Sequence, residues 1–148
     1  MDDVQMKVKI VRIDKSLPLP EYHTSGSVAF DFYTRIDQTF RPGEAKLLPA
    51  NFIIKVPPGY FLFIASRSSL FKKGLQLANS VGVIDQDYHG PNDELHLSIR
   101  NVSERTVEVK KGDRLAQGLI LPIQKVAEWQ EVEKIKDESR GGYGSTGQ

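Results

Sequence analysis

The sequence predicts an all-β fold, a sandwich or a barrel, for a chain of 148 residues. Apolar and polar side chains alternate in short runs, which is the pattern of strands with one buried face. Turn signals rich in glycine, proline and aspartate separate these runs at short intervals. Only one segment has a helical pattern, so units of strand, helix and parallel strand are not expected.

The predicted strands can be followed in chain order. Apolar residues alternate with polar ones in residues 4–10, 95–99 and 107–109, and residues 60–65 form the most apolar run. Because glycine, proline and aspartate favour tight turns, turns are predicted between the strands, at residues 41–44, 57–59, 72–74, 89–93 and 111–113.

One helix and one further strand complete the predicted elements. Residues 68–74 are the helical candidate, in which a serine caps the start and Gly74 ends the turn. Residues 126–140 hold apolar side chains among charges and are interpreted as a last strand. A mobile C-terminal arm is predicted over about residues 137–148, because its many glycines are costly to order.

Composition restricts the classes of function. The formal net charge of +1 gives no support for binding duplex nucleic acid or an anionic membrane. The chain has no cysteine, which excludes disulfides, thiolate nucleophiles and cysteine-ligated metals. The N-terminus is acidic, unlike a signal peptide, and no apolar run has membrane-spanning length. We therefore expect one cytoplasmic domain over residues 1–148.

Asp31 is the only acid in the apolar run of residues 28–33. Burying an unpaired carboxylate is very unfavourable, so Asp31 needs a partner. Arg114 is the counter-ion that we favour, and a structural ion pair explains Asp31 at least as well as a catalytic role.

Arg67, Ser68 and Ser69 follow the apolar run of residues 60–65. A guanidinium and two hydroxyls suit the oxygens of a phosphate group, although a capped turn with an exposed arginine explains the same residues. Gln117 lies in another apolar run and needs a polar partner, either from the protein or from a ligand.

Residues 79–90, Asn-Ser-Val-Gly-Val-Ile-Asp-Gln-Asp-Tyr-His-Gly, form the most specific cluster. The glycines allow a close hairpin whose backbone can pair with the edge of a ligand. Asp85 and Asp87 share a face if the segment is extended. Asp85 can orient and deprotonate water, and Tyr88 can pack on a sugar ring. The alternative is a surface turn whose acids face solvent.

The glycine-rich residues 140–147 form a last cluster. Arg140 and the hydroxyls of Ser145 and Thr146 suit phosphate oxygens, and Tyr143 suits the face of a base or sugar. Taken alone, this segment is more simply interpreted as a frayed terminus.

Together these clusters resemble, in the right order, the five motifs of the trimeric dUTPase family. The resemblance covers about residues 25–147 and includes the strings Gly-Val-Ile-Asp-x-Asp-Tyr and Gly-Tyr-Gly-Ser-Thr-Gly. It implies a distorted jelly-roll-like β-barrel subunit and a homotrimer with active sites at subunit interfaces. It also implies hydrolysis of dUTP to dUMP and pyrophosphate with Mg²⁺, held mainly by the triphosphate.

The resemblance implies a role for each matched residue in catalysis and base reading. Asp85 would activate the water that attacks the α-phosphorus. Tyr88 would lie under the deoxyribose and leave no room for a 2′-hydroxyl. Cytosine would leave a donor unpaired in the hairpin that reads uracil. That hairpin comprises Asn79 and the backbone of Val81, Gly82, Val83 and Ile84.

The remaining matched residues would surround the phosphates. Asp31 is implied near the metal–water network or a motif-four arginine, which makes it a candidate metal contact through water. Phosphate contacts are implied for Arg67, Ser68, Ser69 and Gln117. The arm that folds over bound nucleotide, in the family usually at a site built by other subunits, would contribute Arg140, Tyr143, Gly144, Ser145 and Thr146.

The sequence departs from the family pattern at two functional points. Arg140, for which the resemblance implies a contact with the γ-phosphate, lies nearer to Tyr143 than the family arginine does. The turn at residues 90–94 is longer than in most members and brings extra acids. His89 and His96 are explained by a turn position and a strand position, without a catalytic role.

Three alternatives remain beside the diphosphatase. A dCTP deaminase shares the fold but uses a strand glutamate where Ser98 stands here, which disfavours deamination. A non-catalytic dUTP sensor would be expected to lack Asp85 or the arm. A coat-like structural jelly roll would need neither.

Overall fold

The computed structural model describes residues 5–144, and within them the chain is all-β, as predicted. Every paired strand is antiparallel to its neighbour. The strands are β1 Lys9–Arg12, β2 Phe30–Tyr33, β3 Gln38–Phe40, β4 Ala45–Pro49, β5 Phe52–Lys55, β6 Tyr60–Ser66, β7 Leu75–Leu77, β8 Gly82–Ile84, β9 His96–Asn101, β10 Val107–Val109 and β11 Arg114–Pro122.

The strands form two larger sheets and two strand pairs. One sheet has the order β2-β11-β6-β8 and the other has the order β4-β9-β7, while β1 pairs with β5 and β10 pairs with β3. Alternate residues of these strands face the core: Leu62 and Ile64 of β6 and Leu97 and Ile99 of β9 are almost wholly buried, whereas their neighbours are not. These side chains join one hydrophobic core with the rings of Phe32, Phe40 and Phe52.

Gly118 of β11 lies at a crowded point of this core. A Cβ atom at this position would come within 2.7 Å of Phe32 Cε2 and 2.8 Å of Phe30 Cε2. The two rings therefore occupy the space above the glycine, and they are themselves in contact at 5.7 Å between centroids. Glycine at position 118 lets the rings of β2 pack closely against β11.

The predicted strands are confirmed in the middle of the chain and shifted at its start. Residues 60–65 and 107–109 lie in β6 and β10, and residues 95–99 overlap β9. The first strand begins later than predicted, because the pairing with β5 covers only Lys9–Arg12. No helix among residues 5–144 is long and apolar enough to cross a membrane.

Two predictions about secondary structure are wrong. The segment 68–74 holds a 3-10 turn, Phe71–Lys73, whose N-cap is Leu70 and which has no side-chain cap, so neither serine caps it. Burial of Leu70 ties the turn to the core, and Gly74 in the left-handed region ends it after one turn, as predicted.

Residues 126–140 contain no strand. Their apolar side chains point into solvent, with Trp129 85% exposed and Ile135 74% exposed, and no neighbouring strand of the described chain pairs with them. A strand needs a partner for its backbone groups, and residues 5–144 offer none here.

Candidate active site

Four of the sequence clusters lie on the single sheet β2-β11-β6-β8. Asp31 is on β2, Gln117 is on β11, Arg67 follows β6 and Asp85 follows β8. In the register of this sheet, Gln117 faces Asp31 on one side and Ala65 on the other. Residues that are far apart in the sequence thus become neighbours through β11, the strand between β2 and β6.

Asp31 is buried and is held by three cationic or basic groups. Its Oδ1 lies 3.0 Å from Arg67 Nε, and its Oδ2 lies 3.3 Å from Arg114 Nη1 and 3.1 Å from His23 Nε2. Because a carboxylate only accepts hydrogen bonds, the ring nitrogen of His23 donates. The predicted pair between Asp31 and Arg114 is confirmed, and Arg67 shares the same carboxylate.

Arg67 is fixed at this position from two sides. Besides the Asp31 contact, its Nη1 donates to the carbonyl of Arg114 at 3.2 Å. Gln117 Nε2 donates to the carbonyl of Ser66, immediately before Arg67, at 3.1 Å. Ser68 and Ser69 follow in the turn, where Ser68 is exposed and Ser69 is half-buried. Together these residues form a polar surface with a positively charged group.

The edge strand β8 has one free side. It pairs with β6 only, so the backbone groups of Gly82–Ile84 on the opposite side meet no strand of the described chain. A small cavity of about 40 Å³ adjoins β8, lined by Asn79, Gly82, Ile84, His96 and Ser98 among others. Ser80, before the strand, has a φ of 65° and turns the chain into β8. An unpaired edge beside a cavity is suited to hydrogen bonding with a planar ligand.

Asp85 directly follows β8 and is exposed. The backbone N–H of Tyr88 donates to the Asp85 carbonyl at 3.2 Å, so residues 85–88 form a turn rather than an extended segment. Asp85 and Asp87 therefore do not share a strand face. The Gln86 side chain donates to the Tyr60 carbonyl at 2.7 Å and fixes the turn to the start of β6.

A second cavity, of about 370 Å³, adjoins this turn and is lined by Phe61, Val83, Asp85, Asp87 and Lys125 among others. Within residues 5–144, the Asp85 carboxylate has no ion pair or side-chain hydrogen bond. It is thus an exposed carboxylate, free of protein partners in the described chain, at the mouth of a cavity.

The structure does not bring all predicted site residues together in one chain. Asp85 lies beyond Ile84, which faces Leu62 near the start of β6, whereas Arg67 follows the end of β6. Arg67 lies six positions after Phe61, which corresponds to roughly 20 Å along a strand at about 3.3 Å per residue. Asp31, Arg67 and Gln117 form one group, and Asp85 and Tyr88 form another.

Of the predicted arm residues, those that the structure describes are exposed to solvent. Arg140 and Gly144 are exposed, and Tyr143 is fully exposed with a φ of 51°. Ser145 and Thr146 lie outside the described residues.

The next question is whether His, Asp and Glu side chains of the described chain could hold the predicted metal. Residues 5–144 contain no group of three or more His, Asp or Glu side chains that could hold a metal ion. Both oxygens of Asp31 face cationic or basic groups, which favours the ion pair over a metal contact for this residue. The prediction that Asp31 contacts metal through water stays a prediction.

Three residues that support the site are not among those predicted from the sequence: His23, Gln86 and Glu94. His23 contacts Asp31, Gln86 fixes the turn of Asp85, and the carbonyl of Glu94 accepts a hydrogen bond from the Tyr88 hydroxyl at 3.4 Å. Only the position of Gln86 between two acids in the most specific cluster gave a signal, because the other two contacts depend on strand pairing.

Comparison with known proteins gives a consistent result. The family model for dUTPase matches residues 15–147. The deoxyuridine 5'-triphosphate nucleotidohydrolase of Dictyoglomus turgidum is 40% identical over 149 aligned positions, which cover 96% of this chain and 99% of that protein. The corresponding protein of Nautilia profundicola is 38% identical, with 96% and 99% covered.

Solved structures show the same fold. A dUTPase from Streptococcus mutans superposes with a TM-score of 0.74 at 30% identity, covering 82% of this chain and 98% of that chain. A dUTPase of Staphylococcus bacteriophage 80alpha, solved as a mutant with dUpNHpp, has a TM-score of 0.82 at 22% identity, with 95% and 98% covered. The fold prediction is confirmed by these neighbours.

Proposed function

The chain belongs to the dUTPase family and is a dUTP nucleotidohydrolase, and we propose that Asp85 activates the water that attacks dUTP. One observation supports the assignment of Asp85 as the general base. Asp85 is an exposed carboxylate without an ion pair in the described chain, and it directly follows the free edge of β8 beside a cavity. A general base needs such an accessible carboxylate within reach of a water molecule.

The chemical step balances as follows. The water oxygen forms a bond to the α-phosphorus while the bond from that phosphorus to the bridging oxygen of the β-phosphate breaks. The electron pair of the broken bond leaves with pyrophosphate, and Asp85 takes the proton of the attacking water. The products are dUMP and pyrophosphate.

The free edge of β8 supports uracil as the nucleobase that the site recognises. Uracil presents a carbonyl and an N–H along one edge, which suit the backbone groups that Gly82–Ile84 present on the free side of β8, with Val81 and the amide of Asn79 beside them. Tyr88, in the following turn, is close enough in sequence to lie against the sugar. Cytosine would present a donor in place of a carbonyl and would leave a backbone donor unpaired.

The polar surface after β6 supports the binding of the triphosphate at this place. Arg67 is held in one orientation by Asp31 and by the carbonyl of Arg114, so little side-chain entropy remains to be lost when it meets an anion. Ser68, Ser69 and Gln117 add neutral donors beside it. We assign these residues to the triphosphate.

We propose that Mg²⁺ binds together with the substrate. The triphosphate oxygens and waters would hold it, which suits the preference of this ion for oxygen ligands and retained water. When bound, it would neutralise charge on the phosphates.

We propose a homotrimer with shared sites, and the geometry of β6 supports it. Asp85 lies near the start of this strand and Arg67 follows its end, so we propose that one site takes Asp85 from one subunit and Arg67 from another. The outer face of the sheet supports such an assembly, since it is apolar and half-exposed in the single chain, with Phe61, Phe63, Val83, Leu119 and Leu121 side by side.

The arm completes the proposal. Arg140, Tyr143 and Gly144, with Ser145 and Thr146 of the adjoining residues, would close over bound nucleotide, and exposure of the described arm residues leaves them available for this role. The single domain over residues 1–148 and the cytoplasmic location stay predictions from the sequence.

The test measures pyrophosphate release from dUTP, dCTP, dTTP and UTP with Mg²⁺, for the wild-type chain and for Asp85→Asn. We expect turnover of dUTP alone, and we expect Asp85→Asn to abolish turnover while dUTP still binds. Glu108→Gln, at an exposed position of β10, is the matched control. Ammonia release from dCTP would assign the chain to the deaminases, and tight binding without turnover would make it a dUTP sensor.

A further inference from the structure

In the long turn after Tyr88, one of the extra acids, Asp93, forms hydrogen bonds within the turn itself. Asp93 Oδ2 accepts a hydrogen bond from the backbone N–H of Gly90 at 2.7 Å, and the N–H of Asp93 donates to the Gly90 carbonyl at 3.1 Å. The Asp93 carboxylate therefore closes its own turn. Its contacts explain why a longer turn can still keep one shape.

Glu94 ends this turn and is anchored through its side chain. Arg35 Nε donates to Oε2 at 2.7 Å and Arg35 Nη2 donates to Oε1 at 2.9 Å, which is the two-bond geometry of a guanidinium and a carboxylate. The carboxylate is only 12% exposed. The hydrogen bond to Glu94 also raises the pKa of Arg35.

A third bond fixes the same carboxylate. The backbone N–H of Asn51 donates to Oε2 at 3.0 Å. Asn51 is fully buried with a φ of 76°, and its side chain accepts from the N–H of Asp14 at 2.6 Å and donates to the Asp14 carbonyl at 3.0 Å. The Asn51 backbone, which donates to Glu94, is thus itself held in place by the contacts with Asp14.

The carbonyl of Glu94 accepts from two side chains. The hydroxyl of Tyr88 lies 3.4 Å from it and Nδ1 of His96 lies 2.8 Å from it. A carbonyl oxygen has two lone pairs, so both bonds can form together. The anchored residue therefore tethers the free end of the Tyr88 ring.

We propose that Glu94 is a positioning residue for Tyr88 and thereby for the rejection of ribonucleotides. The proposal rests on the proposed function, in which the Tyr88 ring lies against the deoxyribose. Arg35 and Asn51 fix Glu94, and the Glu94 carbonyl holds the hydroxyl end of the ring. A ring that cannot retreat leaves no space for a 2′-hydroxyl, whereas a ring without its tether can move and admit UTP.

The experiment measures kcat and KM for dUTP and for UTP with the full chain. The variants are Glu94→Ala, Glu94→Gln, Tyr88→Phe and the double variant Glu94→Ala with Tyr88→Phe, and Glu108→Gln is the control. Tyr88→Phe keeps the ring and removes only the tether, so it remains informative if Glu94→Ala does not fold. Thermal unfolding of each variant reports on the fold.

We expect Glu94→Ala and Tyr88→Phe each to reduce the preference for dUTP over UTP by about three- to tenfold, the effect of losing one hydrogen bond. The change should appear mainly in KM, because Asp85 is untouched. Glu94→Gln, which keeps an acceptor for Arg35 and Asn51, should restore part of the preference. The double variant should lose no more than Glu94→Ala alone, since both changes remove the same tether.

Two results would overturn the proposal. If the folded single variants keep the wild-type preference to within about twofold, the tether does not set the position of the ring. In the same way, a loss in the double variant equal to the product of the two single losses would show that Glu94 and Tyr88 act independently. A wild-type chain that hydrolyses dUTP and rejects UTP would leave the proposed function intact in either case. A wild-type chain without dUTP turnover would overturn both.

Discussion

Asp31 on β2 holds Arg67, which follows β6, through an ion pair of 3.0 Å that passes beside the intervening strand β11. The side chain of Asp31 is 9% exposed and meets Arg114 and His23 with its second oxygen. One buried carboxylate thus sets the orientation of the arginine that we assign to the phosphates.

Replacing this carboxylate should weaken substrate binding more than it affects the chemical step. Asp31→Asn leaves the neighbouring guanidinium groups without their anion, so we expect the KM for dUTP to rise about tenfold and stability to fall by about 1–3 kcal/mol. Steady-state kinetics and urea unfolding measure the two effects, with Glu108→Gln as the surface control. An unchanged KM in a folded variant would mean that Arg67 needs no anchor.

Shared sites predict that two inactive variants can restore activity together. Arg67→Ala and Asp85→Asn should each be nearly inactive alone. If a site takes Arg67 from one subunit and Asp85 from another, refolding an equal mixture of the two variants makes about one site in four intact by random assembly.

Pyrophosphate release by the refolded mixture measures this recovery. The control is a mixture of wild-type chain with the double variant Arg67→Ala with Asp85→Asn, which also yields about one intact site in four. An inactive mixture of the single variants beside an active control would show that both residues of a site come from the same subunit.

Crowding above Gly118 predicts a stability loss from one added methyl group. The Cβ of Gly118→Ala would meet the rings of Phe30 and Phe32 at less than van der Waals distance, so we expect a loss of about 1–3 kcal/mol in the free energy of unfolding. Gly26→Ala is the matched control, because a Cβ there meets no atom within 4 Å. Chemical denaturation of both variants would decide, and equal stabilities would contradict the packing argument.

The pair between Asp14 and Lys111 predicts a pH dependence of stability. The hydrogen bond from Lys111, at 2.6 Å, holds the pKa of Asp14 far below its ordinary value of 3.8. The unfolded chain therefore binds a proton at Asp14 near pH 3.8, whereas the folded chain does not, so this contribution is present above that pH and is lost as the pH falls below it.

Asp14→Asn should accordingly lower the melting temperature at pH 7, and the gap to wild type should shrink in measurements below about pH 4. Glu104→Gln, at an exposed position, is the control, and we expect its melting temperature to match that of the wild type at each pH. A gap that stays constant between pH 7 and pH 3 would contradict the role of the Asp14 charge.

Local patterns in the sequence predicted a large part of this molecule. Alternation predicted β10, the apolar run of residues 60–65 predicted β6, and the need of Asp31 for a counter-ion led to Arg114. The second partner, Arg67, was not predicted as such because its contact depends on β11 lying between β2 and β6. That strand order is a property of the whole sheet.

The errors have the same origin. Val126, Trp129 and Ile135 were assigned to a strand because they are apolar, yet a strand also needs a neighbour, and the described chain has none for them. The separation of Asp85 from Arg67 is likewise invisible in the sequence, because the order of motifs along the chain does not say at which end of a strand each one lies.

The free edge of β8 has a consequence for solubility. An open strand edge is a template on which another chain can add a strand, and long exposed edges lead to aggregation. Here the edge spans only three residues, between the positive φ of Ser80 and the turn at Gln86. It offers enough backbone groups for one flat base and too few for a second polypeptide, so the same brevity that suits nucleotide reading protects the protein from sheet extension.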